Sequence, residues 1–246
     1  MDLLLWQLAD SAFPAGGFAH SGGLEAAWQQ GEVTDRAAVE QFTRDVIGQT
    51  GRSLLPFVTE AHAHPQKMRQ LDAFCDAFLS NPVANRASRA QGRAFLTACA
   101  RSFPDRACNR NPRRHRDLTT RTTEGTEDLD RVVSIEDLQN RVSSANLRGH
   151  QAPLFGAVLR ALEVDRRSSQ RLFLFLTSRT VTTAAVRLGL LGPYEAQRLQ
   201  SAMSADIDRT LETCGELRSL EIAHTAPLID LFQSTQDRLY SKLFQS

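Results

Sequence analysis

The chain has 246 residues, 41% of them hydrophobic, and its 29 basic and 28 acidic side chains leave a formal net charge of +1. That length suits one helical domain with a sizeable core, and the even charge balance gives no electrostatic case for nucleic acid. No run approaches the roughly 18 consecutive apolar residues that a bilayer-spanning helix needs, so no membrane association is expected. Cys75, Cys99, Cys108 and Cys214 stand too far apart to deliver paired thiolates to a metal from one loop, and they read as reduced thiols.

The chain opens MDLLLWQLADSAF, an apolar run flanked by Asp2 and Asp10, with no basic region before it and no small-residue cleavage site after it. Export is not expected, and the expected compartment is the cytoplasm. Phe13 to Glu25, FPAGGFAHSGGLE, then gathers four of the chain's 14 glycines ahead of a helix starting near Leu24. Glycines let backbone amides face another chain or an anion at close range, and the same composition also suits a tightly packed turn between helices. It is not a phosphate loop, because GxxxxGK[ST] is absent from the whole sequence.

Helical spacing follows almost everywhere. Val39, Phe42 and Val46 form one stripe after the candidate caps Thr34 and Asp35, and Met68, Leu71, Phe74, Cys75 and Phe78 form another beyond Pro65. His62 and His64 are two positions apart, which on a regular helix points the rings in nearly opposite directions and prevents joint chelation. From Pro104 the stripe gives way to polar residues, with a basic half (Arg106 to Arg121) and an acidic half (Glu124 to Asp130). This segment, 104–147, is expected to be a mobile insertion, with a short helix at Ile135 to Val142 capped by Ser134.

Leu154, Phe155, Val158, Leu159 and Leu162 resume the pattern. Leu172 to Thr183 is crowded with β-branched and apolar residues, but the run continues through Leu188 without a turn signal, so its length predicts a core helix rather than a strand. Beyond Gly192 and Pro193, the positions Ala196, Leu199, Met203, Ile207, Leu211 and Cys214 predict one long helical face. The end, residues 227–246, holds Leu228, Leu231, Phe232, Leu239, Tyr240, Leu243 and Phe244. So much apolar surface near a chain end packs onto the body or inserts into a partner. Burying Leu243 and Phe244 alone is worth on the order of 3 to 6 kcal/mol.

No catalytic pattern emerges. HExxH and GxSxG are absent, and His20 and His150, in glycine-adjacent loops, read either as ligands or as hydrogen-bonding anchors. The cluster Arg110, Arg113, Arg114, His115 and Arg116 lacks interleaved aromatics and reads as a solvated face.

Three segments together resemble one family. WQLADSAFPAGGFAHSGGLE (Trp6 to Glu25), RGHQAPLFGAVLRAL (Arg148 to Leu162) and SRTVTTAAVRLGLLGPYEAQRL with the terminal LYSKLFQS resemble the urease accessory protein UreF family in order and spacing. The resemblance implies an all-α, single-domain bundle of roughly eight to ten helices spanning 1–246, with a partner-docking tail at 227–246. It implies no enzyme activity and no cofactor held by this chain. What it implies instead is a homodimeric adaptor joining a UreD/UreH-like protein and the GTPase UreG, modulating GTP hydrolysis while the complex delivers nickel to apo-urease.

Carried over residue by residue, the family's amino-terminal turn falls on Pro14, Gly17, Phe18, Ser21, Gly22, Leu24 and Glu25, and its tail on Tyr240, Ser241, Lys242, Leu243, Phe244 and Ser246. Arg187 and Gln197 match the positions flanking the later turn. Partner contact is thereby implied for Phe18, His20, Ser21, Glu25, Arg187, Gln197 and the six tail residues. Besides the segment from Pro104 to Asn146, which is longer and more polar than the family's, two places depart from the family pattern. Thr235, Gln236 and Asp237 replace an Arg-His-Glu run, and Gly192 to Gln197 replaces a more polar turn. Two other readings stay open: a helical nucleic-acid-binding regulator using the Arg-rich insertion, and a small helical metalloenzyme using His20, His150 and carboxylates.

Overall fold

A computed structural model describes residues 3–104 and 133–245. Among these the chain is all helical, with no strand. The α-helices are α1 (Leu3–Ala9), α2 (Leu24–Gln29), α3 (Arg36–Ser53), α4 (Leu55–Ala63), α5 (Met68–Phe78), α6 (Pro82–Ser102), α7 (Ile135–Ser143), α8 (Gln151–Ala161), α9 (Arg166–Arg187), α10 (Pro193–Ala202), α11 (Ser204–Cys214) and α12 (Pro227–Thr235). Short 3-10 turns at Gly17–Ala19, Pro65–Lys67, Ser219–Glu221 and Gln236–Arg238 link them.

Local chemistry sets many of the ends. Asp35, Asn81 and Asp165 accept backbone N–H groups in the first turns of α3, α6 and α9, and Ser134 forms a reciprocal capping box with Asp137 at the start of α7. Pro82 and Pro193 occupy first helical positions, where a missing N–H costs nothing.

The predicted core helix is α9, 22 residues long. It packs against α3, α4 and α10 and has buried residues around much of its circumference, which is why its sequence shows so little amphipathic contrast. Its buried polar groups are satisfied internally. Gln170 Nε2 donates to Thr59 Oγ1 and to the Gly215 carbonyl, and the Ser178 and Thr182 hydroxyls donate to Gln200 Oε1. The α4–α8 contact is close enough that a Cβ on Gly156 would sit on the Val58 carbonyl oxygen. Phe95, Phe155 and Phe173 continue the core as a chain of rings 4.8 and 5.1 Å apart.

The stripe from Ala196 to Cys214 is buried at all six positions, yet it is carried by two helices, α10 and α11, that meet at Met203. Met203 keeps near-helical angles (φ −66°, ψ −10°), so the buried face runs on across the break. Of the polar segment 104–147, residues 133–147 are described, and Val133, Ile135, Leu138 and Leu147 are buried in the main core, with α7 lying against α6 and α8. The arginine cluster at 110–116 and Cys108 lie outside the described residues. No helix among the described residues is long and apolar enough to cross a membrane.

A carboxylate clasp between the glycine-rich loop and the chain end

The glycine-rich loop ends in Gly22 and Gly23, both at positive φ (65° and 92°), which turn the chain sharply into α2. A Cβ on Gly23 would meet Gln233 and the Ile229 carbonyl of α12 at 3.1 to 3.3 Å, so the glycine also lets α12 lie directly on the start of α2. That contact carries the chain end back over the loop.

Glu25, in the first turn of α2, is 1% exposed. Its carboxylate is fully engaged by the tail: Leu243 N donates to Oε1 at 2.6 Å, and Phe244 N (3.1 Å) and Gln236 Nε2 (2.5 Å) donate to Oε2. A buried carboxylate is tolerable when several donors replace its lost water, and the positive end of the α2 dipole adds to the effect. The Ser21 hydroxyl accepts the Glu25 N–H at 3.4 Å, which fixes the turn from which the carboxylate projects.

Arg187, at the end of α9, closes the other side. Its guanidinium lies 4.2 Å from the Phe18 ring centre and 4.1 Å from that of Phe244, and it donates to the Phe18 carbonyl (2.6 Å) and the Leu243 carbonyl (3.4 Å). Cation–π contact with both rings thus joins loop, helix and tail through one side chain. Gln245 N donates to the Ala19 carbonyl (2.8 Å) and Gln29 Nε2 to the Ser241 carbonyl (2.9 Å), so tail main chain is bound on both sides of Glu25.

The structure therefore brings together Phe18, Glu25, Arg187, Leu243 and Phe244, with Ser241 joining through its carbonyl. Phe244 is 4% exposed and packs onto the protein's own body, whereas Leu243 stays half exposed, so the burial gain falls mainly on one of the two residues. Tyr240 projects fully into solvent, and Phe18 is 69% exposed on its outer side. His20 and Ser21 are buried within the loop, and burial pushes the His20 imidazole down to about 4. Lys242 is exposed and donates to the Asp237 carbonyl. Gln197 lies on the exposed face of α10, away from these contacts, and Ser246 lies outside the described residues.

Residues at the first departure from the family pattern carry the clasp rather than merely tolerating it. Gln236 is fully buried and donates to both Glu25 and the Phe244 carbonyl. Thr235 accepts from Gln30 Nε2, and Asp237 receives both carboxylate bonds from Arg86 at 2.9 Å. At the second departure, Glu195 Oε2 accepts the Gly192 N–H and caps α10.

His150 is held as an anchor. Ser88 Oγ lies 3.1 Å from its Nδ1 and Asp76 Oδ1 lies 3.0 Å from its Nε2, while burial holds its proton affinity below the ordinary range. The neighbouring Asp72, which sequence reasoning did not single out, is 2% exposed and accepts the backbone N–H groups of Arg148, Gly149 and His150. His62 is buried against the Val164 carbonyl and His64 is exposed, as their two-residue spacing predicts. No group of three or more His, Cys, Asp or Glu side chains arranged for a metal ion occurs among the described residues.

Fold and clasp together define an all-α protein whose chain end closes upon its own glycine-rich loop. The chain belongs to the UreF family, whose profile matches residues 33–204. It is 34% identical to urease accessory protein F of Oryza sativa subsp. indica over 97% of this chain and 83% of that one, and 35% identical to urease accessory protein F of Arabidopsis thaliana over 98% and 91%. Urease accessory protein UreF of Arthrobacter sp. (strain FB24) is 27% identical over 99% of this chain and 96% of its own length.

Proposed function

We propose that this protein is a non-catalytic urease accessory factor, acting in the cytoplasm as a homodimeric adaptor between a UreD/UreH-like protein and a UreG-like GTPase. Nickel is the cargo of that complex, delivered to apo-urease, and this chain holds no resident cofactor. The observation that carries the reading is the clasp. A buried carboxylate and an arginine between two rings fix the tail, so that Tyr240, half-exposed Leu243 and the outer side of Phe18 are held on one prepared surface. Neighbouring Leu228 and Leu231 of α12 are also more than half exposed, a concentration of apolar surface that suits a protein partner.

In this arrangement the UreD/UreH-like protein docks on the tail side and the GTPase meets the glycine-rich loop and Arg187. The contribution to GTP hydrolysis is positional: a rigid body holds the GTPase in one geometry. Mixing the purified chain with its UreD/UreH homologue, with and without residues 239–246, tests the docking surface. Loss of the complex on deletion is expected, and an unchanged complex sinks the tail as a docking element. Adding the UreG homologue to the intact complex should give a stable ternary assembly that Arg187→Ala weakens.

A further inference from the structure

The two ends of α9 carry different chemistry. Its last residue, Arg187, belongs to the clasp, and its first, Arg166, lines a cleft of about 380 Å³ on the far side of the bundle. At 1.5 Å per residue these ends stand about 33 Å apart, so the cleft is a separate surface.

The cleft is walled by Glu60 and His64 near the end of α4, by Lys67, and by Arg218 and Leu220 in the segment after α11. That segment is fastened in place: Ser219 donates through its N–H (3.1 Å) and hydroxyl (2.6 Å) to Glu60 Oε2, and Lys67 Nζ lies 3.1 Å from Oε1. Burial alone would raise the Glu60 carboxyl, but the Ser219 donors and Lys67 outweigh it and hold it below the usual range. The acidic charge of the floor is thus already committed within the wall.

The basic groups are committed less firmly. Among the described residues Arg166 pairs with the Glu216 carboxylate, at 2.6 Å, and that side chain is 80% exposed, the kind of surface pair that an incoming anion displaces readily. Arg218 is exposed and forms no ion pair among the described residues. Beside these guanidinium groups stands Leu220, 87% exposed. Guanidinium forks match carboxylate oxygens in geometry, and an exposed leucine at the rim favours an occupant with an aliphatic side chain next to its charge. A small free anion would leave Leu220 in water.

We propose that this cleft docks an acidic segment of a partner protein, with a carboxylate received between Arg166 and Arg218 and an adjacent aliphatic side chain covering Leu220. It is independent of the clasp, so either surface can fail without the other.

The test is fluorescence anisotropy on the full chain, using an array of labelled hexapeptides that carry two glutamates and one leucine in every order, with matched glutamine peptides. Saturable binding of glutamate peptides is expected, weaker at higher salt. It should fall about tenfold in the double variant Arg166→Ala/Arg218→Ala, fall less in Leu220→Ser, and stay unchanged in Arg187→Ala. All three cleft residues are exposed, and circular dichroism checks that the variants fold. The proposal is overturned if no glutamate peptide binds, if glutamine peptides bind equally, or if the double variant binds undiminished. Displacement by inorganic phosphate at matched ionic strength, with no effect of Leu220→Ser, would make this a small-anion site and overturn it too.

Discussion

Arg187 lies over the Phe244 ring, guanidinium carbon 4.1 Å from the ring centre, although 56 positions separate Arg187 from the neighbouring Leu243 whose carbonyl it also binds. Replacing Arg187 with alanine removes two ring contacts and two hydrogen bonds. The tail should loosen by about 1 to 3 kcal/mol, read as faster amide exchange at Phe244 and Gln245 while the thermal midpoint of the bundle barely moves. Lysine should restore little, since a point charge cannot stack between two rings and bond two carbonyls at once.

Glu25→Gln keeps the size and removes the charge. Its amide nitrogen would face at least one N–H that now donates to a carboxylate oxygen, leaving a buried donor unpaired. A loss of about 2 kcal/mol is expected in urea unfolding, whereas Arg187→Ala acts on the tail locally, because Glu25 is buried and Arg187 is partly exposed. Equal stability of Glu25→Gln and the parent would mean that the tail amides are satisfied elsewhere.

Gly156→Ala should destabilise the fold by about 1 to 3 kcal/mol, even though alanine favours a helix over glycine. The obstacle is the Val58 backbone, which cannot swing aside as a long side chain can. Gly48 offers the control: it is also helical, nothing lies within 4 Å of the position a Cβ would take, and its alanine variant should be neutral or stabilising.

Acid should weaken the protein through its buried histidines. His20 is held neutral, its proton affinity lowered by burial to about 4, and burial lowers His62 and His150 as well. Above the unfolded value near 6.5 both states are neutral and nothing is lost. As pH falls from there toward 4, the unfolded chain takes up protons that the folded one refuses, so stability declines across that window. For His20 the loss is roughly 3 kcal/mol at most. Urea midpoints at pH 7 and pH 5 should differ, and His20→Asn should narrow the difference, leaving the share of His62 and His150.

Most helices were legible because core burial writes itself as recurring apolar residues. The stripe at Ala196 to Cys214 announced its buried face correctly but concealed the break at Met203, since both helices keep the same face inward. The clasp was half legible. Glu25, Arg187 and Phe244 were named through family resemblance, but their pairing was not, because Glu25 binds main-chain amides and any residue except proline can supply those. Gln236 stood out only as a departure from the family run, and Asp72 not at all. Only the folded path of residues 148–150 and of the tail turns them into buried hubs.

The clasp also orders events in time. Glu25 leaves the ribosome more than 200 residues before its three donors, at Gln236, Leu243 and Phe244. Until residue 244 has been made, that carboxylate must keep its water and the glycine-rich face stays unfinished. A product that stops short of Phe244 therefore displays an incomplete surface, and recruitment through this face awaits that residue.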